Sequence, residues 1–155
     1  MPPRTTAQRR SDALRALQEG VNVWVASAGA QGEAYLIPLS YLRDGERLTM
    51  ATPEASRTAR NLRRAGRARV ALPAARDVVI LEGPIECIPI DVDDELAAAH
   101  AAAAGFDPRR EAERYVYIRL TPIRIDAWRD VAELPGCRIM RDGHWCDDAG
   151  PIQEK

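Results

Sequence analysis

Lysine is almost missing from this chain: of its 22 basic residues only Lys155 is a lysine, and the others are arginine. Aromatic residues are scarce too, at 5% of the 155 residues, with Phe106 the single phenylalanine. No aromatic side chain is interleaved among the clustered arginines, so the base-stacking platform of a single-strand nucleic-acid binder is not provided there. Cysteine is limited to Cys87, Cys137 and Cys146, too few and too irregular for a disulfide framework. A reducing compartment suits them. No apolar run approaches the roughly 18 residues that a membrane-spanning helix needs. The basic N-terminal stretch also lacks an apolar signal core. A cytoplasmic protein without a membrane partner is the expectation. Nucleophile elbow, Walker loop and HExxH are all absent, which leaves hydrolase and ATPase readings without support.

What is present is ordinary in bulk and uneven in detail. A hydrophobic fraction of 46%, a charged fraction of 29% and a net charge of −1 fit one globular domain over 1–155. Arginines 57, 60, 63, 64, 67 and 69 nevertheless crowd into one short stretch. The chain otherwise uses arginine wherever it needs a cation, so abundance alone says little.

Periodicity predicts a short helix over 11–19, capped by Ser11 and stopped by Gly20. Alternating strands follow at 21–27 and 34–42. Pro38 in the second demands an edge or a place that needs no ladder donor. Asp44-Gly45 turns the chain into a strand over 47–51. Thr52 then reads as a helix cap with Pro53 at the first helical position, and the helix ends at Gly66. Strands are expected at 68–72, 77–83 and 84–90, the last two separated by Gly83-Pro84. Asp91 reads as the cap of an alanine-rich helix near 92–104, on which His100 is expected at the surface. A bent strand or strand pair covers 115–128, and an Asp142-Gly143 hairpin closes the chain. Many short strands joined by hairpins, with few helices, imply a mainly β (α+β) fold. The expected architecture is a split antiparallel β-barrel of Greek-key type with a few peripheral helices. Its core spans 12–128, and 129–155 form a C-terminal hairpin and tail.

The segment 48–72 carries the chemistry. A strand delivers the chain to a helix start, where free backbone N–H groups and the helix dipole favour an anion. Ser56 and Thr58 add hydroxyls there. Arg57, Arg60 and Asn61 share one helical face, while Ala59 and Leu62 turn toward the barrel. Hydroxyls, a guanidinium fork and a helix terminus together suit a phosphate monoester. The bland alternative is a solvated arginine face.

With Thr52 at a strand end, Ser56-Arg57-Thr58 four residues on, and the order of elements before them, residues 12–128 resemble the pyridoxamine 5′-phosphate oxidase-like superfamily, the FMN-binding split barrels. Thr58 stands where that family commonly has a lysine. The resemblance implies a homodimer with cofactor at the interface and a flavin/deazaflavin-dependent oxidoreductase acting on a small-molecule substrate. It places the cofactor phosphate on Thr52, Ser56, Arg57, Thr58 and Asn61, and the ring along the strand at Pro38 and Leu39. FMN and the deazaflavin coenzyme F-420 both carry phosphate and a tricyclic ring, and the sequence does not separate them. A non-catalytic carrier on the same fold and a nucleic-acid-binding barrel are the alternatives. Trp128, Arg129 and Trp145 are candidates for the substrate side, against the plainer reading that the tryptophans seal the barrel end or the dimer. No catalytic residue is assigned. Cys137, His144 and Cys146 fall short of a structural zinc set, which only Asp147 or Asp148 could complete, so no metal is expected.

Overall fold

The computed structural model describes residues 2–147. Helix α1 (Thr6–Glu19) starts earlier than its apolar pattern predicts, because Thr5 and Gln8 form a capping box. The Gln8 amide donates to Thr5 Oγ1 at 3.1 Å, and the Thr5 amide donates to Gln8 Oε1 at 2.8 Å. Strands β1 (Asn22–Ala28), β2 (Ala34–Asp44) and β3 (Arg47–Pro53) then form an antiparallel meander. After helix α2 (Arg57–Ala65), strand β4 (Arg67–Ala71) returns to lie beside β1, the Greek-key step. Strand β5 (Val78–Pro89), helix α3 (Asp94–Ala104) and strand β6 (Tyr115–Leu120) complete the barrel. Closure comes from the β3–β6, β6–β5 and β5–β4 pairings. The barrel strand order is therefore β4-β1-β2-β3-β6-β5, back to β4.

Three further strands, β7 (Arg124–Trp128), β8 (Arg138–Arg141) and β9 (His144–Trp145), extend the sheet from β5. Short 3₁₀ turns cover Pro108–Arg110 and Val131–Gly136. No helix among the described residues is long and apolar enough to cross a membrane.

Besides the start of α1 and small shifts of strand ends, three junctions differ from the sequence reading. The two strands expected across Gly83-Pro84 are one strand, β5. Its first half pairs with β7 and its second half with β6, so Gly83-Pro84 marks the change of neighbour and does not end the strand. A Cβ on Gly83 would lie 2.0 Å from the Thr121 carbonyl oxygen, so only glycine lets the β6–β7 crossover pass this closely. Asp93, not Asp91, caps α3, its carboxylate accepting from the Leu96 amide at 2.9 Å. Thr52 and Pro53 belong to β3, paired with Val116 and Tyr115, and the cap of α2 is Ser56. Pro38 sits where β2 pairs only with β1, so no ladder donor is missed on its other edge.

The main core fills the barrel with Val23, Val25, Leu48, Met50, Leu81 and Ile118, and α1 and α2 add Leu17 and Leu62. Strand β6 alternates, so Tyr117 faces away from that core and packs with Ile88, Leu96 and Ala97 beneath α3. His100 lies in this second cluster, fully buried between Tyr117 and Phe106, with ring centroids 5.3 Å and 6.0 Å away. The surface position expected for it is thus overturned. An alanine-rich helix shows no apolar stripe by which its buried side could be read. Burial pushes the His100 pKa down, and neither ring nitrogen has a hydrogen-bond partner.

Candidate functional site

The site begins where β3 hands over to α2. Ser56 has extended backbone, and its Oγ accepts from the Ala59 amide at 3.1 Å. Thr52 Oγ1 lies 3.1 Å from Ser56 Oγ, tying the buried strand end to the helix cap. The first intrahelical bond runs from the Arg60 amide to the Ser56 carbonyl at 3.1 Å, so the Arg57 and Thr58 amides precede the helical ladder. Gly66, left-handed at φ 70°, ends the helix.

Helical geometry divides α2 cleanly. Thr58, Ala59, Asn61 and Leu62 are buried, whereas Arg57, Arg60, Arg63 and Arg64 face outward. The outer face meets the β1–β2 hairpin across a cleft of about 330 Å³, lined by Arg57, Arg60, Asn61 and Arg64 on one side and by Glu33 and Tyr35 on the other. Side-chain bonds hold the two walls together. Asn61 Nδ2 donates to Ser27 Oγ at 3.1 Å, and Arg64 Nη2 donates to the Ala28 carbonyl at 2.6 Å and to Asn61 Oδ1 at 3.2 Å. The Arg57 guanidinium stands 5.1 Å from the centre of the Tyr35 ring, a cation–π contact that fixes its direction.

Charge in the cleft is unbalanced. Three arginines (57, 60 and 64) face one carboxylate, Glu33, so the excess is 3 − 1 = 2 positive charges. None of the three makes an ion pair among the described residues, although the neighbouring Arg63 reaches Glu54 at 3.6 Å. Glu33 is held below the usual carboxylate range, first by its own backbone N–H and that of Gln31, then by Arg64 and Arg57. The arrangement sets guanidinium groups along one side of α2, with a positive excess of a kind that suits an anion.

Of the residues expected at the cofactor, Arg57 and Asn61 line this cleft, while Thr52 and Ser56 are bonded to each other at the start of α2 and are not among the lining residues. Thr58 does not join them. One residue beyond Arg57, it turns to the inner face of α2, 1% exposed, and its hydroxyl has no partner. Pro38 is exposed on β2 opposite Trp24, whereas Leu39 packs against the main core. Trp128 and Arg129 lie elsewhere, at the end of β7. Trp128 pairs with Val78, and Arg129 bonds Asp77 at 3.3 Å and Asp12 at 3.5 Å. Trp145 lies under Arg10, with the guanidinium 4.3 Å from its ring centre. Among the described residues no cluster of histidine, cysteine and carboxylate could hold a metal, and Asp148 falls outside them. Sequence reasoning missed Glu33, Tyr35 and Arg64, because the hairpin wall approaches α2 only in the folded barrel.

A closed antiparallel barrel of this strand order, with an anion cleft at the helix after its third strand, defines the split-barrel class of cofactor-binding proteins. The chain belongs to the pyridoxamine 5′-phosphate oxidase family, whose sequence model matches residues 11–129. No curated protein matches the chain. Among solved structures, a heme binding protein from Mycobacterium smegmatis shares the fold with a TM-score of 0.66 and 19% identity, over 90% of this chain and 59% of that one. An FMN binding protein from Nostoc punctiforme aligns with a TM-score of 0.53 at 15% identity, over 82% of this chain and 86% of its own. An F420 reductase aligns with a TM-score of 0.59 at 15% identity, over 72% of this chain and 93% of its own. At these identities the likeness is one of fold.

Proposed function

We propose that this protein is a cytoplasmic oxidoreductase that binds FMN, with the cofactor phosphate in the cleft between α2 and the β1–β2 hairpin. The observation that carries the reading is the trio Arg57, Arg60 and Arg64, spread from the first to the last turn of α2 along one cleft and faced by a single carboxylate, Glu33. A phosphate monoester offers the charge and the oxygen geometry that such a donor set fits. The flavin, when bound, supplies hydride or electron transfer to a small-molecule substrate. The chain's own part is binding and orientation. Arg57 and Arg60 take the phosphate oxygens, Arg64 and Asn61 brace the hairpin against α2, and Ser56 keeps the helix start in place.

The proposal includes a homodimer. Trp24 at 42% exposure and Leu36 at 58% stand with Pro38 on the outer face of β1 and β2, an apolar strip beside the cleft that a second copy fits. The ring would lie along Pro38 and Leu39, between the copies. The F420 reductase among the structural neighbours favours a second reading, in which the deazaflavin coenzyme takes the same cleft. Titrating the apo-protein with FMN and the deazaflavin side by side, followed by sedimentation of each mixture, tests all three statements. Saturable binding of one of the two by a dimer supports the proposal. Binding of neither overturns it.

A further inference from the structure

A second group of arginines gathers on the outer face of β4, β5, β7 and β8, apart from the residues that line the α2 cleft. Strand period puts Arg67 and Arg69 on one face of β4, and Arg124 and Asp126 on one face of β7. Register then aligns them across the sheet. Arg69 pairs with Glu82, Glu82 with Arg124, and Asp126 with Arg138.

Each carboxylate serves two arginines. Glu82 lies 2.5 Å from Arg67 and 2.7 Å from Arg69, and Asp126 lies 3.2 Å from Arg124 and 3.1 Å from Arg138. Each such trio keeps one positive charge over. Arg67 meets its carboxylate through Nη2 and Arg138 through Nε, so most N–H groups of both forks stay unused.

These residues surround a cavity of about 260 Å³ lined by Arg67, Arg124, Arg138, Arg141, Glu82, Asp142 and Ile123. Arg141 is exposed and makes no ion pair among the described residues. Four arginines against two carboxylates leave 4 − 2 = 2 positive charges at the wall, in a chain whose net charge is −1. Two features fix the shape. Gly83 allows the β6–β7 crossover to lie on β5, and the Gly143 amide donates to the Ile123 carbonyl at 2.9 Å, holding the β8–β9 turn against that crossover. Ile123, 36% exposed, gives the cavity one apolar wall.

We infer that this cavity is a second anion site, specific for a small phosphate-bearing ligand. The shared carboxylates hold the forks of Arg67, Arg124 and Arg138 in place before the ligand arrives, so only Arg141 must be ordered on binding. The remaining two charges match a phosphate dianion, and Ile123 accommodates a short carbon body beside it.

The test titrates inorganic phosphate and ribose 5-phosphate into the Arg57→Ala protein at constant ionic strength in chloride, read by isothermal calorimetry and phosphorus NMR. Removing Arg57 weakens the α2 cleft, so the two sites are separated whatever the cleft binds. Saturable binding is expected to persist in this background. Adding Arg141→Ala or Arg67→Ala weakens it about tenfold each, the size of one charged hydrogen bond. Ribose 5-phosphate binding as tightly as phosphate, or tighter, assigns the site to an ester, and binding of inorganic phosphate alone assigns it to the free anion. Loss of all phosphate binding on Arg57→Ala alone overturns the inference. So does unchanged affinity in the Arg57/Arg67/Arg141 triple alanine variant, whose fold is checked by circular dichroism.

Discussion

Replacing Gly83 by alanine is the sharpest structural test, because the added methyl group meets backbone. Its Cβ would stand 2.0 Å from the Thr121 oxygen, 2.9 Å from the Thr121 carbonyl carbon and 3.0 Å from the Ile123 nitrogen. A relaxed contact needs about 3.5 Å, so the crossover must retreat by about 1.5 Å. Two hydrogen bonds clasp the crossover to β5: the Thr121 amide to Pro84 O at 3.1 Å and the Ile123 amide to Glu82 O at 2.9 Å. Losing both costs about 2 kcal/mol, and the overpacking costs about 1–3 kcal/mol more. Stiffening the unfolded chain returns about 0.4–1 kcal/mol. The net is a loss of about 3 kcal/mol, or roughly 6–12 °C in melting temperature for a domain of this size. Urea unfolding with an unchanged slope and a lowered midpoint is the expected record. A sharper contrast comes from Gly29, where an added Cβ meets the end of the Glu33 side chain at 2.2 Å. That carboxylate can swing aside, so Gly29→Ala costs under about 1 kcal/mol. Equal stability of Gly83→Ala and the wild type would refute the reasoning.

Three further outcomes follow from buried charge and burial. Glu133, 4% exposed, accepts from Arg4 Nε at 2.9 Å and Nη2 at 2.8 Å, clamping the N-terminus to the 3₁₀ turn after β7. Glu133→Gln is expected to lower stability by about 2 kcal/mol, less than a fully buried pair because Asp12 still holds Arg4 at 2.8 Å. The Arg4 contact depresses the Glu133 pKa below 4.5, so the clamp stabilises the fold above that pH and is lost as pH falls through the lower folded value. The acid limb of a stability–pH profile should therefore be shallower in the variant. His100 has the same sign for a different reason: its folded pKa lies below 6.5, so the buried neutral ring loses stability as pH drops under that value. His100→Phe should remove that slope and leave stability at pH 8 within about 1 kcal/mol, by chemical denaturation at both pH values.

Legibility in the sequence followed the range of the interactions. Hairpins at Asp44-Gly45 and Asp142-Gly143 are where turn chemistry places them, since a glycine of positive φ decides locally. Gly66 and Gly105 likewise end their helices. The start of α2 was misread because Thr52-Pro53 carries a good local cap signal, but pairing with β6 keeps both residues in the strand and passes the cap to Ser56. Gly83-Pro84 misled similarly: it resembles a strand break, yet neighbours on both edges hold β5 straight through. In the cleft, Arg57 and Asn61 were readable from helical spacing. Glu33, Tyr35 and the bracing by Arg64 were not, since they depend on a hairpin more than twenty residues upstream folding against α2. Thr58 shows the limit of motif reading, where one step of helix rotation turns a hydroxyl from the cleft to the interior.

The central claim is that the cleft of Arg57, Arg60 and Arg64 receives a flavin phosphate, and comparing FMN with riboflavin isolates that group. Fluorescence titration of the apo-protein is predicted to show FMN binding at least about a hundredfold tighter than riboflavin, the sum of two charged hydrogen bonds. In Arg57→Ala/Arg60→Ala that preference should collapse to within about tenfold, with riboflavin affinity unchanged. Equal affinity of the wild type for the two ligands, or a preference that survives the double substitution, would contradict the account.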